Sequence, residues 1–542
     1  MTRSRLHQMS QRAFTSLQQR ATRRHMLQGA AALSLAGVAA RTGSGITPAA
    51  AQDAAAPEGK IVISLASEPA TMESWYAYST IGVAPLRNVF EALLNRDPVT
   101  NELVGELAES WEWTDDKTIE FTLRPGVTFH DGTPFNAEAA AASLNWTWDP
   151  ENAFDIIQFQ GPQITAEAVD DLTLRVSTAE PDPILPNRLY FSPIGSAEQI
   201  ANDPDSLVTT PSGTGPYKFV GWNRGQNLEL TAFEDWWGNA NPDAALGAQN
   251  IKDVEYVWRD ESSVRTSQVN AGEAQIGRFL SPEDCETTAT CAKAPSVETP
   301  SLRIDTMHTT MGDRRIREAI GLAIDKQELA DALFGGADVA TQMVGPSAAG
   351  YNPNLEALPY DIERATALVQ EAAAVGVDIT QPITVAVRGG AYARVEEMGE
   401  YVAQQLAQIG LNATMVVTEP AAYEEQFTIG QPNVAADRGW IGTNSHGNEL
   451  MDVGGTASGY YRCSGSVSTY CNEELDAMID AANPLTGEER DAAFQAITAK
   501  FMEDIPVVPL IHLPNYYGLA EGVVWTPRLD GFMLVKEMSL GD

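Results

Sequence analysis

The chain has 542 residues, of which 44% are hydrophobic, 8% aromatic and 20% charged, so it is long enough for several domains that each bury a core. Its 73 acidic side chains far outnumber the 35 basic ones and leave a formal net charge of −38. A surface this negative repels phosphate backbones and anionic lipids, which argues against nucleic-acid binding and membrane-surface binding.

The N-terminal segment is typical of an export signal. All seven charged residues among the first 52 are arginines, a weakly apolar run follows at 30–40, and Ala49-Ala50-Ala51 supplies a small-residue cleavage pattern. Residues 22–27 resemble a twin-arginine export signal, with an ordinary secretion signal as the alternative. We predict a signal peptide over 1–51 that is cleaved near Ala51. No later segment approaches 18 unbroken apolar residues, so we expect a periplasmic protein without membrane insertion.

Short strands alternate with turns through the first half of the mature chain. Asp115 and Asp116 follow a tryptophan-containing stretch and precede a strand-like run, which predicts a hairpin turn. This half is therefore expected to be rich in β-structure with few long helices. β-Branched and aromatic runs predict strands at 61–65, 118–123, 172–177, 228–232 and 254–258.

The four cysteines form two close pairs in the sequence, Cys285 with Cys291 and Cys463 with Cys471. An oxidising compartment favours two local disulfides, each closing a short loop. A zinc site is the weaker alternative, because neither pair has C-x-x-C spacing or a nearby histidine. We therefore predict both disulfides and no metal site.

The second half alternates strands with amphipathic helices. Apolar residues at helical spacing precede Gly376 and Gly410, which are natural helix stops. Strand, helix and strand in this order predict a βαβ unit and a partly parallel sheet. The predicted helices are at 361–374, 395–409 and around 494–502, and the predicted strands are at 383–387, 413–417 and 507–511.

No catalytic or nucleotide-binding motif occurs in the chain. The nucleophile elbow Gly-x-Ser-x-Gly, the P-loop, the dinucleotide fingerprint and His-Glu-x-x-His are all absent. We therefore predict no catalytic residue and no cofactor, and we favour a binding protein over an enzyme.

Several sequence blocks together resemble one known family, the family 5 extracellular solute-binding proteins, which are the dipeptide, oligopeptide and nickel-type receptors of ABC importers. Each block is weak alone, but their order holds over nearly the whole mature chain. The blocks are NVFEALL at 88–94, LAESWEW at 107–113, FTLRPGVTFHDGTP at 121–134, GTGPY at 213–217 with WWG at 236–238, RRIREAI at 314–320 with AIDK at 323–326, residues 359–376, and IPVVPL at 505–510.

The resemblance implies an α/β fold, the two-lobed periplasmic binding protein or Venus flytrap, with a β-rich subdomain inserted in the first lobe. The late apolar strand at 507–511 would then return to the first lobe. The implied boundaries are 58–92, 212–300 and 508–542 for lobe I, 93–211 for the inserted subdomain, and 301–507 for lobe II.

Solute contacts in such a receptor are expected from loops and strand ends that face the cleft between the lobes. In the first lobe, Glu68 follows a strand and is a candidate for holding a cationic group, with a solvated loop acid as the alternative. Trp75 and Tyr76 are candidates for a stacking wall, or else for ordinary packing. In the second lobe, Arg388 and Gly389 end a strand, where the guanidinium would pair a carboxylate; the alternative is a surface ion pair.

A second candidate segment aligns with the ligand-contacting loop of the family. Its residues are Trp440, Thr443, Asn444, Ser445 and His446.

Peptide-binding members usually carry an aspartate shortly after this tryptophan, and it is missing here. Either Asp437 or Glu449 substitutes for it, or the solute lacks a free amine. Neutral hydrogen-bonding residues in its place would suit a sugar, a glycoside or an amino-acid derivative.

We therefore predict the periplasmic substrate-binding protein of an ABC importer. It is expected to be a monomer that captures a peptide or peptide-like solute and delivers it to the permease membrane subunits with their ATPases. The alternatives are a non-peptide solute (sugar, opine, amino-acid derivative or metal chelate), a sensory or chaperone-like receptor on the same scaffold, and, more distantly, a secreted hydrolase.

Overall fold

A seven-stranded sheet forms the centre of the first lobe. The structure is a computed structural model that describes residues 57–69, 71–72, 83–152, 154, 156–240, 247–423, 425–426 and 439–541. The strand Glu58–Leu65 runs parallel to both of its neighbours in this sheet, and the other pairings are antiparallel. In order across the sheet the strands are Thr290–Ala294, Asn515–Leu519, Ile276–Arg278, Glu58–Leu65, Ile251–Trp258, Asn227–Ala232 and Tyr217–Asn223.

A five-stranded sheet forms the centre of the second lobe. The strand Ile383–Arg388, the helix Val395–Gln408 and the strand Ala413–Thr418 make the predicted βαβ unit, whose two strands are parallel. The strand Glu298–Ile304 is antiparallel to both of its neighbours, so the sheet is mixed. In order across the sheet the strands are Ala413–Thr418, Ile383–Arg388, Trp440–Gly447, Glu298–Ile304 and Val507–Pro509.

A separate four-stranded antiparallel sheet lies within the predicted inserted subdomain. Its first two strands form the hairpin expected from Asp115 and Asp116. The helix Ala137–Trp148 packs on it, with Asn136 accepting a hydrogen bond from the Ala139 amide as the N-cap. The strands are, in order, Ala108–Trp113, Thr118–Leu123, Thr173–Thr178 and Ile164–Ala168.

The predicted strands and helices are confirmed, because each coincides with or overlaps an observed element. Helix Ile362–Ala374 shows why: Asp361 caps its first turn, and the positions that sequence periodicity marked as apolar are buried. Among the described residues, none of the helices combines the length and apolar character that crossing a bilayer requires.

The remaining elements are short or lie around the three sheets. The two-stranded pairs are Leu94–Arg96 with Leu103–Gly105, Asp338–Val339 with Ile511–His512, and Val523–Val524 with Ser539–Leu540. The further helices are Val83–Val89, Ile157–Gln160, Leu185–Tyr190, Ala197–Asn202, Ser262–Asn270, Pro282–Cys285, Arg314–Ala323, Lys326–Leu333, Pro420–Tyr423, Val453–Thr456, Glu473–Ala482 and Gly487–Glu503, with single turns of other helix types at Pro204–Val208, Trp237–Ala240, Ala457–Tyr461 and Val535–Glu537.

The late apolar strand corrects one sequence prediction. Residues 507–511 were expected to return to the first lobe, but Val507–Pro509 pairs with Glu298–Ile304 in the second-lobe sheet. The prediction is wrong because the partner strand lies about two hundred residues earlier in the chain, where no local signal reveals the pairing. The return to the first lobe comes later, at Asn515–Leu519, and not at residue 508.

The two segments that join the lobes are hydrogen-bonded to each other. One lies between Ala294 and Glu298, and the other lies between His512 and Asn515. The amide of Leu513 donates to the carbonyl of Glu298 at 2.9 Å, and the Ser296 hydroxyl donates to the Leu513 carbonyl at 2.5 Å. This pair of bonds makes the crossing segments one unit about which the lobes can bend.

A buried network of charges ties the C-terminal segment to the first lobe. The Lys536 ammonium lies 2.9 Å from Glu106 Oε1 and 3.8 Å from Glu91 Oε1, and all three side chains are at most 2% exposed. The indole N–H groups of Trp236 and Trp237 donate to the Glu91 carboxylate at 3.1 and 2.8 Å. Each buried charge here therefore has a partner, as the low dielectric of a core requires.

Both predicted disulfides are present, and no cysteine is free. Cys285 bonds to Cys291, with the first of them fully buried beside Tyr516. Cys463 bonds to Cys471 just before the helix Glu473–Ala482. Each bridge closes a short local loop, which is the arrangement expected in an oxidising compartment.

Candidate functional site

The strand Trp440–Gly447 changes from buried to partly exposed along its length. Trp440 is only 1% exposed, and its ring centroid lies 4.7 Å from the guanidinium carbon of Arg303. Thr443 is fully buried, and its hydroxyl donates to the carbonyl of Ala386 at 3.2 Å. Both predicted site residues therefore lie in the core of the second lobe, where they hold the strand in place.

The later residues of this strand reach the surface and form polar contacts. The Tyr423 hydroxyl donates to the side-chain oxygen of Asn444. The His446 ring nitrogen Nε2 lies 2.7 Å from the Thr456 hydroxyl, and the His446 and Tyr460 ring centroids are 4.7 Å apart. Burial lowers the pKa of His446 to about 4, so this imidazole is neutral at pH 7 and acts as a hydrogen-bonding group.

Two glutamates meet at the end of the same strand. The antiparallel register places Glu298 opposite Gly447. A Cβ atom at position 447 would lie 2.3 Å from Glu449 Oε1 and 2.9 Å from Glu298 Oε1, so a side chain there would displace both carboxylates from their present positions. The Ser445 hydroxyl donates to Glu298 Oε2 at 2.5 Å and fixes that carboxylate. Sequence reasoning proposed Glu449 as one candidate and missed Glu298.

The two carboxylates perturb each other. Burial, and then the charge of Glu298, raise the pKa of Glu449 to about 8. Burial also raises the pKa of Glu298, although the Ser445 hydroxyl and the charge of Arg388 act in the opposite direction. Like charges this close share a proton near neutral pH, and a cation between them would replace that proton. The pair is therefore suited to a positively charged group.

The segment after strand Ile383–Arg388 completes this region. Arg388 is exposed, and its charge acts on Glu298. Gly390 has a φ of 68°, a left-handed conformation that glycine adopts without strain, and it turns the chain toward Tyr392. Burial, followed by the neighbouring Tyr423 and Glu298, raises the pKa of Tyr392 well above its usual range, so this phenol stays protonated as a hydrogen-bond donor.

The carboxylate pair lies where the second lobe meets the first. Leu450, next to Glu449, is 6% exposed and packs in the hydrophobic cluster of the first lobe. Glu298 begins the strand that follows the first crossing segment. The structure thus brings Arg388, Ser445 and Glu449 of the predicted set together with Glu298.

The first-lobe candidates are placed differently. The Glu68 carboxylate accepts hydrogen bonds from the indole of Trp222 at 2.9 Å and from the Gly225 amide at 3.2 Å, so it stabilises a hairpin turn within its own lobe. Trp75 and Tyr76 lie outside the described residues, as does Asp437. In the part of the chain that the structure describes, no group of three or more His, Cys, Asp or Glu side chains is arranged to hold a metal ion.

Comparison with known proteins identifies the family. The family model "Bacterial extracellular solute-binding proteins, family 5 Middle" matches residues 102–461. The chain belongs to this family. Family 5 proteins bind solutes for transport, so the prediction of an ABC-importer binding protein rather than an enzyme is confirmed.

Individual relatives of this family 5 protein are distant but cover most of its length. Heme-binding protein A of Haemophilus influenzae is 26% identical over 484 residues, which are 83% of this chain and 85% of the relative. Di/tripeptide-binding protein 4 of Pseudomonas aeruginosa is 26% identical over 490 residues, 83% of this chain and 88% of the relative.

A solved structure supports the fold of this family 5 protein. The ABC transporter-associated periplasmic binding protein DppA from Helicobacter pylori, in complex with the peptide STSA, has a TM-score of 0.75 at 20% identity. The match covers 89% of this chain and 98% of that one. The predicted two-lobed periplasmic binding protein fold is confirmed by this likeness.

Proposed function

We propose that this solute-binding protein captures a peptide-like solute by its amino group and delivers it to the membrane subunits of an ABC importer. The observation that carries the proposal is the pair Glu298 and Glu449, whose carboxylates approach each other at Gly447 on the boundary between the lobes. An ammonium donates hydrogen bonds in several directions and neutralises such a pair better than a neutral solute does. Glu449 thereby takes the role that an aspartate has in peptide-binding members.

Arg388 supplies the opposite charge. It is exposed at the end of its strand, close enough for its charge to act on Glu298. A guanidinium pairs a carboxylate in two parallel hydrogen bonds, so Arg388 is proposed to receive the acidic end of the solute. A zwitterionic peptide matches both features, whereas a sugar uses neither charge.

The relatives do not indicate which solute is bound, because a heme-binding protein and a di/tripeptide-binding protein have the same sequence identity to this chain. The neutral side chains of Asn444 and Ser445, which suggested a sugar, are hydrogen-bonded to Tyr423 and Glu298. These contacts favour the peptide-like solute over the sugar.

The first prediction concerns a matched set of four tripeptides, which carry either a free or an acetylated N-terminus and either a free or an amidated C-terminus. We expect the free tripeptide to raise the melting temperature and to change tryptophan fluorescence in a saturable way, because a ligand at 100 times its Kd stabilises by about 2.7 kcal/mol. N-acetylation should weaken binding by about 100-fold or more, since it leaves the carboxylate pair without a cation.

Comparing the four peptides shows how much the N-terminal ammonium and the C-terminal carboxylate each contribute to binding. Amidation should weaken binding less than acetylation does, because Arg388 is exposed and solvent offsets part of its loss. Equal binding of the acetylated and free forms would contradict the role of Glu298 and Glu449. Binding of a sugar or a heme by the same fluorescence assay, with none of the peptides, would overturn the peptide-like solute.

We further propose that the protein is exported with a twin-arginine signal and works as a periplasmic monomer. The support is the arginine pattern at 22–27 and the alanines before Gln52, both of which lie outside the described residues. The mass of protein recovered from the periplasm of a producing bacterium should correspond to a chain that begins at Gln52. Export that persists in a strain lacking the twin-arginine pathway would show that the ordinary secretion route is used instead.

A further inference from the structure

The loop that carries Glu449 is contacted by the first lobe as well as by its own. On the first-lobe side, Asn187 of the subdomain predicted to be inserted in that lobe donates from its side-chain amide to the carbonyl of Leu450 at 2.6 Å. The Leu450 side chain packs in the hydrophobic cluster of the first lobe. The Asn101 side-chain amide also contacts the sulfur of Met451. Three successive residues of the second lobe, Glu449 to Met451, therefore lie at the boundary.

The second lobe holds both ends of this loop firmly. The Asn448 amide donates to the carbonyl of Val297, which precedes Glu298. At the other end, Asp452 forms a buried two-fold ion pair with Arg490, with nitrogen–oxygen distances of 2.7 and 2.9 Å. Between these ends, the Ala349 amide donates to the Met451 carbonyl at 2.9 Å, so Leu450 is the residue of the loop whose carbonyl is bonded from the first-lobe side.

Met451, in the middle of the loop, has a strained backbone conformation. Met451 has a φ of 54°, in the left-handed region that residues other than glycine rarely adopt. Surrounding contacts must maintain such a conformation, because it costs free energy by itself. Met451 is itself bonded to Ala349 and Asn448 of the second lobe, and the Asn187 bond fixes the adjacent Leu450 carbonyl from the other side.

We propose that Asn187 is a positioning residue for solute binding, which holds the loop of Glu449 in place from across the lobe boundary. The first lobe then contributes to the carboxylate pair without supplying a carboxylate. Without the bond from Asn187, the Leu450 backbone would move and the Glu449 side chain would no longer be held beside Glu298. The effect on solute affinity rests on the proposed role of Glu449, whereas the effect on the loop does not.

Hydrogen exchange of the solute-free protein tests the effect on the loop. In Asn187→Ala, the amides of Asn448, Met451 and Asp452 should exchange about tenfold faster than in the wild type, because the Leu450 carbonyl loses its partner. Asn202→Ala is the matched control, since Asn202 lies in the neighbouring helix Ala197–Asn202 and bonds only to Glu198 among the described residues. Exchange in the control should equal that of the wild type.

Two further variants distinguish the loss of this one contact from a general loss of structure. Leu450→Ala should accelerate the same amides, and Asn187→Gln should restore part of the protection because it keeps the amide donor. Exchange in the helix Ile362–Ala374, which is remote in sequence from the loop, should be unchanged in all of them. Loop exchange in both Asn187→Ala and Leu450→Ala within twofold of the wild type would overturn the proposal.

A pH profile separates positioning from simple packing. In the wild type, Glu298 on the adjacent strand is the charged group that faces Glu449, and Arg388 acts on Glu298 in turn. If Asn187→Ala lets the loop move into solvent, the midpoint of the pH dependence of binding to the free tripeptide should fall by about one pH unit or more. Failure of every tripeptide to bind would contradict the proposed solute, while the exchange data would still decide the role of Asn187.

Discussion

Replacing Lys536 with methionine is expected to lower the free energy of unfolding by about 3–5 kcal/mol, the cost typical of leaving a buried charge without its partner. Glu106 and Glu91 would lose the ammonium that now lies 2.9 and 3.8 Å away. The change is measured by urea and thermal unfolding followed by circular dichroism. A loss below about 1 kcal/mol would show that the network contributes little.

The control for this variant is Lys117→Met. Lys117 lies 3.7 Å from Glu180, but the two side chains are 39% and 81% exposed. An exposed pair of this kind contributes about 0–1 kcal/mol, so Lys117→Met should unfold almost like the wild type. The double variant Lys536→Met with Glu106→Gln should recover part of the loss, because it removes one of the unpaired carboxylates.

The loss in Lys536→Met should also depend on pH. Burial, and then the charge of Glu106, already raise the pKa of Glu91 to about 7. Burial would raise the pKa of Glu106 as well, but Lys536 and Arg87 hold it below its usual range. Without Lys536 both pKa values rise, and a carboxyl with a raised pKa in the fold loses stability as pH rises through that pKa. The deficit should therefore be larger at about pH 8.5 than at about pH 5.5.

The second large effect is expected for Glu298→Gln combined with Glu449→Gln. Removing both carboxylates should weaken binding of the free tripeptide by about 100-fold or more, because its ammonium would be desolvated without a counter-charge. Titration calorimetry measures this loss. Glu371→Gln is the control, since Glu371 is an exposed partner of Arg364 on a surface helix, and it should bind within about threefold of the wild type.

The pH dependence of binding gives an independent check on the same pair. Because the pKa of Glu449 is raised to about 8 in the free protein, an incoming ammonium must displace a proton below that pH. Affinity should therefore rise with pH toward about 8, by at most tenfold per pH unit for one proton, and fall at higher pH, where the α-ammonium of the tripeptide loses its own proton. Calorimetry below pH 8 in two buffers of different ionisation enthalpy should detect the proton released from the carboxylate pair. The rise should vanish in the double glutamine variant, and its absence in the wild type would contradict the shared proton.

Local sequence patterns predicted most strands and helices, whereas contacts between distant parts of the chain could not be predicted from them. The apolar residues of helix Val395–Gln408 recur at a spacing that places them on one side of a helix, so the local pattern was enough to predict where the helix lies. Val507–Pro509 shows the limit, because its partner in the sheet is far away in the chain and β-pairing leaves no local signal. Trp440 and Thr443 stay predicted solute contacts, and the structure adds that both side chains are buried in the second lobe, which the sequence does not show.

Glu298 was missed for a related reason. It precedes Gly447 by about one hundred and fifty residues, and only the antiparallel register of two strands places them opposite each other. The chain has 73 acidic residues, and nothing in the sequence around Glu298 marks it as a binding residue. Gly447 did offer a hint, since a glycine at the end of a strand often marks a close approach of other groups.

The position of Glu298 has a consequence for how solute preference evolves in this protein. Its side chain belongs to the proposed amino-group site, while its backbone carbonyl accepts the hydrogen bond from Leu513 that links the two crossing segments. Every amino acid keeps that carbonyl, so a substitution at position 298 would change the pocket and leave the main-chain bond of the pivot in place. Divergence toward new cargo is therefore expected to proceed at positions 298 and 449 alike without loss of the hinge.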